Sequence, residues 1–478
     1  MDLDDYAACD ATELRRLMQA RQVDARDVRE AALRAIEAVE PRLNAVVGGP
    51  YEDATAVEDG PLAGVPFAVK DTLPEAGRAL GFGTRMLDGF VARRDATLAE
   101  RFRAAGLLSL VRSATPEFAF NIDTAPVVHG PTHNPWNPDR APGGSSGGAA
   151  ALVASRALPM AHANDGGGSI RIPAAWCGLV GLKPSRGRVP LGPSVGEAVG
   201  GFAHEFALTR SVRDAALLLD AVNGPAPGDR YYVARPRTPF SAAVRHDPGR
   251  LRVAVHTRSW FGVETAPEVR AAVQAAADAL EGAGHHVEEA CPAVADDALR
   301  ECLTTVWSVD LAELAATFEH ATGHPARPGV VEAASWASIR HGRDLTALDL
   351  QAAARVVNST ARRWGRFLDD YALLLCPTTP TAAPPSGTPD QDDPRFTTAN
   401  AWTDEVFSQV PFTPLANVTG QPAISVPVGE TRDGLPVGVM LTAQTLREDL
   451  LLQVAAQLER ALPWQGRTPA VEAAATGR

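Results

Sequence analysis

Cysteine and long apolar runs are scarce in this chain, and each scarcity excludes a class of protein. The five cysteines are widely scattered, odd in number and form no C-x-x-C pair, so neither a disulfide framework nor a structural zinc site is expected. No apolar run approaches the ~18 residues that span a bilayer. The opening residues, MDLDDYAACD, lack the basic and apolar segments of a signal peptide. We therefore expect a cytoplasmic protein without a membrane partner.

Lysine is rarer still, although positive charge is not. Of the 45 cationic residues only Lys70 and Lys183 are lysines, and the 57 acidic residues bring the net charge to −12. This acidic balance disfavours nucleic acids and anionic membranes as partners. A coding bias towards arginine explains the shortage and makes the two exceptions informative. A buried lysine can lose its proton and act as a base, whereas an arginine cannot.

Strand-like and helix-like segments alternate along the chain, a pattern typical of an α/β protein with a mixed sheet. Residues 1–60 are predicted to be a helical segment, and residues 293–370 to be a helix-rich elaboration. No internal repeat or linker interrupts the pattern. We therefore expect a single domain over residues 1–478.

Two strand pairs are predicted in the C-terminal half. Leu251–Val255 and His286–Glu289 flank a helix whose start carries a capping-box pattern at 265–268, so these two strands are expected to pair in parallel. Ala423–Val428 and Val437–Leu441 flank an Asp-Gly turn and are expected to pair with each other.

Three motifs carry the chemistry: GVPFAVKD with Lys70, GGSSGG with Ser145, and DGGGSIRIP with Ser169. Each alone is weak, because a stretch such as GGSSGG is usually a flexible loop. Together they are coherent. Consecutive glycines before Ser169 let several backbone N–H groups converge on one anionic oxygen. A serine nucleophile needs a base, which a neutral lysine supplies, and a second serine can bridge the two because a hydroxyl both donates and accepts.

The order and spacing of these motifs resemble those of the amidase-signature family. The stretch GGSSGGAAALVAS…HANDGGGSIRIPAAWCGLVGLKPSRGRVP is similar to the family signature from end to end, and the similarity continues in TPEFAF, NPWNP, LLCPTTPTAAP and NVTGQPAISVPVG. Some of these segments look most like the nylon-oligomer branch, which hydrolyses cyclic dimers of aminohexanoate. The resemblance implies an α/β fold with a mixed, twisted β-sheet core covered by helices on both faces, and a signature core over about 61–210.

The same resemblance implies the role of each site residue. Ser169 is the nucleophile, Ser145 the bridging serine on a cis peptide bond, and Lys70 the general base. The oxyanion hole is formed by the N–H groups of Gly166, Gly167, Gly168 and Ser169. The surrounding loop is braced by Ser146, Asp165 and Arg171. The family uses no metal and no organic cofactor, its substrate is a small-molecule amide, and a monomer or homodimer is expected.

Several positions bear on the substrate or have a structural interpretation. Asn164 stands where the family often has threonine, and the sequence around Trp307 differs from the nylon-oligomer branch, so the substrate stays open. Lys183 is interpreted as a structural cation and Cys177 as a core residue. The substrate pocket is predicted to be lined by Ala119, Phe120, Trp176 and Trp307.

Two alternatives share the signature. One is an ammonia-generating subunit of a tRNA-dependent amidotransferase, which would need partner chains. The other is a non-catalytic binding member of the family, against which the intact set of Lys70, Ser145 and Ser169 argues.

Overall fold

A computed structural model of the chain describes residues 1–54, 59–294 and 297–474. Eleven strands form one sheet. They are β1 (Val46–Gly48), β2 (Pro66–Lys70), β3 (Leu108–Ser113), β4 (Met160–Asp165), β5 (Val180–Lys183), β6 (His204–Thr209), β7 (Arg252–Val255), β8 (His286–Glu289), β9 (Leu373–Pro377), β10 (Ala423–Glu430) and β11 (Pro436–Ala443).

Fifteen α-helices accompany the sheet in the described ranges. They are α1 (Leu3–Ala8), α2 (Ala11–Gln19), α3 (Ala25–Leu43), α4 (Thr97–Ala104), α5 (Gly147–Ala154), α6 (Arg171–Cys177), α7 (Val212–Val222), α8 (Phe240–Ala243), α9 (Pro267–Gly282), α10 (Asp297–Thr322), α11 (Ala333–Asp344), α12 (Ala347–Asp370), α13 (Ala399–Gln409), α14 (Pro414–Thr419) and α15 (Glu448–Ala461). No helix within those ranges is long and apolar enough to cross a bilayer.

The sheet is mixed, and its strand order is β1-β3-β2-β4-β6-β5-β10-β11-β9-β7-β8. β2 runs parallel to both of its neighbours, β3 and β4, whereas β4, β6, β5, β10 and β11 pair antiparallel in succession. The largest apolar cluster packs strands of this central region against α3, α5, α9 and α15. The α/β fold class predicted from the sequence is confirmed.

The two predicted strand pairs are confirmed as well. β7 and β8 pair in parallel, and β10 and β11 pair antiparallel around the Asp433-Gly434 turn. The predicted capping box at the start of α9 is wrong. Ala266 occupies the N-cap without a side-chain hydrogen bond, because the Thr265 hydroxyl donates instead to the Thr257 carbonyl at 2.7 Å. The helical N-terminal segment ends at Leu43, after which β1 joins the sheet.

Candidate active site

Lys70 and the glycine nest lie at the same edge of the sheet because they stand at the ends of neighbouring parallel strands. β2 ends at Lys70, β4 ends at Asp165, and the two strands pair in parallel. The carboxyl ends of parallel strands lie at the same edge of a sheet, where ligands of α/β proteins commonly bind. Asn164 therefore reaches the Lys70 amine, with Oδ1 2.6 Å from Nζ, and the nest of Gly166 to Gly168 begins two residues later.

The loop before α5 places two serine hydroxyls on the same amine. The Gly144–Ser145 peptide bond is cis. Lys70 Nζ lies 2.7 Å from Ser145 Oγ and 3.0 Å from Ser146 Oγ. Only glycine fits at 144, because a Cβ there would come within 2.6 Å of the Asn121 carbonyl oxygen. Both serines and the lysine are buried, so these contacts form away from bulk water.

The nest between β4 and α6 presents Ser169. Gly168 has a φ of +140°, which favours glycine. The Gly167 carbonyl accepts a hydrogen bond from Thr413 Oγ1 at 2.7 Å. The carbonyl and the following N–H of a trans peptide point in opposite directions, so the Gly168 N–H faces away from Thr413. This arrangement suits an oxyanion beside the Ser169 hydroxyl.

A buried ion pair joins the two ends of the nest, Asp165 before it and Arg171 after it. Asp165 accepts from Arg171 Nη2 at 2.8 Å and Nε at 2.9 Å, and both side chains are fully buried. Burial alone would raise the pKa of Asp165, but the Arg171 guanidinium and the hydrogen bond from Asn417 together outweigh it and hold that pKa well below its usual range. Asp165 also accepts the Ile170 N–H at 3.2 Å, which ties the start of α6 to the end of β4.

Lys70 has the opposite surroundings. Burial lowers the pKa of Lys70 to about 7, against the opposing attraction of Glu205 and Asp165. The three groups that contact its amine are two serine hydroxyls and an amide oxygen, all uncharged. Desolvation without an adjacent counter-ion favours the neutral amine, which is the form that accepts a proton.

A substrate cavity of about 230 Å³ opens onto both Ser145 and Ser169. Its apolar wall includes Phe82, Phe118, Phe120, Trp307, Leu311 and Leu314. Of the residues predicted to line the pocket, Ala119, Phe120 and Trp307 lie on this wall. Trp176 does not. Its side chain is buried in the core and is absent from the described cavity lining, and its indole N–H donates to Thr379 Oγ1 at 3.1 Å.

The hydroxyls of Ser145 and Ser169 share this cavity. Among the described residues, no hydrogen bond joins Ser145 Oγ to Ser169 Oγ. Catalytic hydrogen bonds are often long without substrate and tighten in the substrate complex. The bond from Lys70 to Ser145 is present without substrate.

The residues interpreted as structural lie apart from this cavity. Lys183 is fully buried, and its amine donates to the Pro184 carbonyl at 2.8 Å. Cys177 is fully buried as well, and burial raises the pKa of its thiol. Within the described ranges, no group of three His, Cys, Asp or Glu side chains is arranged to hold a metal ion.

The family model of the amidases matches residues 27–452. The chain belongs to the amidase family. It is 38% identical to 6-aminohexanoate-cyclic-dimer hydrolase of Paenarthrobacter ureafaciens, over 96% of each chain. It is 32% identical to an acylamidase of Rhodococcus erythropolis, over 96% of this chain and 97% of the relative.

A solved structure of 6-aminohexanoate cyclic dimer hydrolase with substrate superposes on this amidase with a TM-score of 0.91. It is 37% identical and covers 97% of this chain and 99% of its own. The family predicted from the sequence motifs is confirmed, and the chain is an amide-hydrolysing enzyme.

Sequence reasoning missed two carboxylates beside the site of this amidase. Glu205 lies in β6 directly opposite Asn164 in the register with β4. Asp310, in α10, accepts the Val199 N–H at 2.6 Å and lines the substrate cavity. Burial raises the pKa of Asp310 to about 6. No alternation of polar and apolar residues in HEFALT singles out Glu205, and no local pattern links α10 to the nest.

Proposed function

We propose that this amidase hydrolyses small-molecule amides through a covalent acyl-enzyme on Ser169. Ser169 Oγ attacks the amide carbonyl while its proton passes through Ser145 to Lys70. The oxygen of the tetrahedral intermediate is held by the N–H groups of the nest, at 166–169. The proton returns to the leaving amine, and water then hydrolyses the acyl-enzyme by the same relay.

One observation carries the proposal: a buried amine lies 2.7 Å behind a serine hydroxyl that lines the same cavity as the glycine nest. Burial that lowers the pKa of Lys70 to about 7 supports its role as base. The nest supplies oriented N–H donors, and Ser146, Asp165 and Arg171 hold the loops that carry them.

The substrate class follows from the cavity and the relatives. The wall near Ser169 is mainly aromatic and aliphatic, which suits a neutral acyl chain or an aryl group. Proteins similar over almost the whole chain are a cyclic-dimer hydrolase and an acylamidase. We therefore propose neutral cyclic or linear aliphatic amides and acyl anilides as substrates.

The test is hydrolysis of 6-aminohexanoate cyclic dimer and of acyl anilides by wild type and by Ser169→Ala. Ser169→Ala is expected to lower kcat at least ~1,000-fold, because it removes the nucleophile. Wild type mixed with a slow anilide and quenched is expected to gain the mass of the acyl group on the peptide that contains Ser169.

A matched control is Ser408→Ala, which removes an exposed serine hydroxyl in α13. It is expected to keep wild-type kinetics. Activity above a few per cent in Ser169→Ala together with a dead Ser145→Ala would show that the two serines have the opposite roles. A wild type inert towards all of these amides would refute the proposed substrate class.

A further inference from the structure

A closed ring of hydrogen bonds surrounds Lys70 behind the two serines. Lys70 Nζ contacts Asn164 Oδ1 at 2.6 Å, and Asn164 Nδ2 donates to Glu205 Oε1 at 3.3 Å. Glu205 Oε2 contacts His162 Nε2 at 2.7 Å. The Lys70 backbone N–H donates to His162 Nδ1 at 3.2 Å, which returns the ring to its start. These contacts connect the amine to a carboxylate on the cavity wall.

Strand register builds this ring. His162 and Asn164 are two residues apart in β4, so their side chains lie on the same face. Asn164 and Glu205 are directly opposed in the antiparallel pair of β4 and β6, where facing side chains are close. The protonation pattern is fixed too. Because His162 Nδ1 accepts the Lys70 backbone N–H, the imidazole proton is on Nε2 and the imidazole is neutral.

Donor and acceptor accounting then determines where the Lys70 lone pair points. A neutral amine has two N–H groups and one lone pair for three oxygen partners. Asn164 Oδ1 has no proton, so it takes one N–H. Ser146 Oγ donates to the Asn164 carbonyl at 3.3 Å, so it takes the second N–H. The lone pair is left for Ser145, whose hydroxyl proton is the one to be accepted.

The other charged groups near Lys70 are already paired. On β4, Asp165 is bound to Arg171. Asp71, the residue after Lys70, is paired with Arg112 of β3, with Oδ1 3.0 Å from Nε. Glu205 differs, because its hydrogen bonds from described residues come from two neutral donors, His162 and Asn164.

We propose that Asn164 and Glu205 are positioning residues for Lys70. The Asn164 amide directs the Lys70 lone pair at Ser145 and holds the Glu205 carboxylate one side chain away from the amine. A carboxylate in direct contact would keep Lys70 charged, whereas one separated by a neutral amide only moderates the effect of burial. The inference rests on the proposed role of Lys70 as base.

Two nearly isosteric variants test it in opposite directions through the pH dependence of kcat/KM on a neutral anilide. Glu205→Gln removes the negative charge and is expected to move the rising limb to lower pH by about half a unit to one unit. Asn164→Asp puts a carboxylate against the amine. It is expected to move the limb to higher pH by about one to three units, and so to lower activity near pH 7 at least ~10-fold.

A second readout does not need activity. The chain has only two lysines, Lys70 and Lys183, so protein labelled with ¹⁵N at lysine Nζ gives two side-chain signals, assigned with Lys183→Arg. The Lys70 midpoint is expected to shift in the same directions as the kinetic limb. Glu281→Gln is the matched control, since it removes an exposed carboxylate of α9 outside the cavity. It is expected to leave the limb where it is.

Opposite shifts in the two variants, in both readouts, support the assignment. Unmoved limbs, or shifts in the same direction, in variants that melt like wild type would overturn it while leaving amide hydrolysis intact. Different results would refute the proposed function, namely a wild type that hydrolyses no amide or a Ser169→Ala variant that stays active.

Discussion

Single residues in this amidase show how the same burial has opposite outcomes. Asp165 and Lys70 are both fully buried. Asp165 contacts a guanidinium at two positions and stays ionised, whereas Lys70 meets only uncharged oxygens, and burial lowers its pKa to about 7. The two residues are equally buried, so the different charge states come from the groups that contact them. The ionised group braces the nest, and the group that loses its charge is the one that can take up a proton.

This contrast leads to a prediction for Lys70→Arg. In the proposed mechanism the neutral amine is the active form, so wild-type kcat/KM should rise with pH through a limb near 7, where Lys70 loses its proton. Arginine stays protonated at all accessible pH values. Lys70→Arg is therefore expected to lose at least ~100-fold in kcat/KM and to show no such limb, measured on a neutral anilide from pH 6 to 10.

The control is Lys183→Arg, which changes the other buried lysine, outside the cavity. It should keep the limb and most of the activity if it folds, which thermal melting checks. Near-normal rates in Lys70→Arg between pH 7 and 9 would contradict the role of Lys70 as base.

At the scale of elements, α10 closes the site from a position that no motif reveals. Trp307 of α10 packs against the nest so closely that a Cβ on Gly167 would come 2.5 Å from its ring. The glycine there serves close packing, since 167 is not among the glycines with positive φ. The nest and α10 therefore have to be considered as one packed unit.

Gly167→Ala tests this packing. The added methyl group has to push α10 or the nest out of place, and overpacking of this kind costs about 1–3 kcal/mol. Since the proposed mechanism requires the nest to hold a transition state, kcat/KM is expected to fall ~10-fold or more. Adding Trp307→Phe, which shortens the opposing ring, is expected to restore part of the loss.

Gly196→Ala is the control for the glycine change itself, because a Cβ at 196 meets nothing within 4 Å. It should leave kcat/KM close to wild type. If the double variant is worse than Gly167→Ala by the full cost of Trp307→Phe alone, the two residues are energetically independent and the packing argument is wrong.

Features set within one segment of the chain could be predicted from the sequence, whereas several that depend on contacts between elements could not. Each of the motifs around Lys70, Ser145 and Ser169 is a short contiguous run, so the family and the α/β class could be predicted from the sequence. The capping box at 265–268 failed because Thr265 has a tertiary partner, the Thr257 carbonyl. Trp176 was predicted to line the pocket, yet its side chain in α6 is buried in the core and bonded to Thr379.

The hydrogen-bonded ring around Glu205 could not be predicted either, because it depends on the register between β4 and β6, which the 38 residues between these strands do not specify. The same holds for α10, whose contact with the nest joins residues far apart in the chain. Pairing and docking over such separations are decided by the packed molecule rather than by local pattern.

At the scale of the whole molecule, charge favours one kind of substrate over another. The net charge is −12, and the substrate cavity repeats this sign. The carboxylates on its wall are Asp95, Glu197, Glu205, Asp310 and Glu313, and no Lys or Arg is among its described lining residues. Asp95 and Glu197 are paired with Arg103 and Arg230 outside the cavity. The other three carboxylates have no arginine or lysine partner on the described part of the wall. An incoming anion therefore meets negative charge both on the cavity wall and on the protein as a whole.

A matched series of acyl anilides, with the far end of the acyl chain neutral, carboxylate or ammonium, measures this effect. At an effective dielectric constant of about 20, unit charges about 8 Å apart repel by roughly 2 kcal/mol. The carboxylate substrate is therefore expected to have a kcat/KM at least ~10-fold below the neutral one. Because exposed charges are screened with a Debye length of ~10 Å at 0.1 M salt and ~3 Å at 1 M, that gap should narrow as salt is added. The neutral substrate should respond little to salt. A carboxylate substrate that matched or exceeded the neutral one at low salt would show that the wall carboxylates do not govern selection.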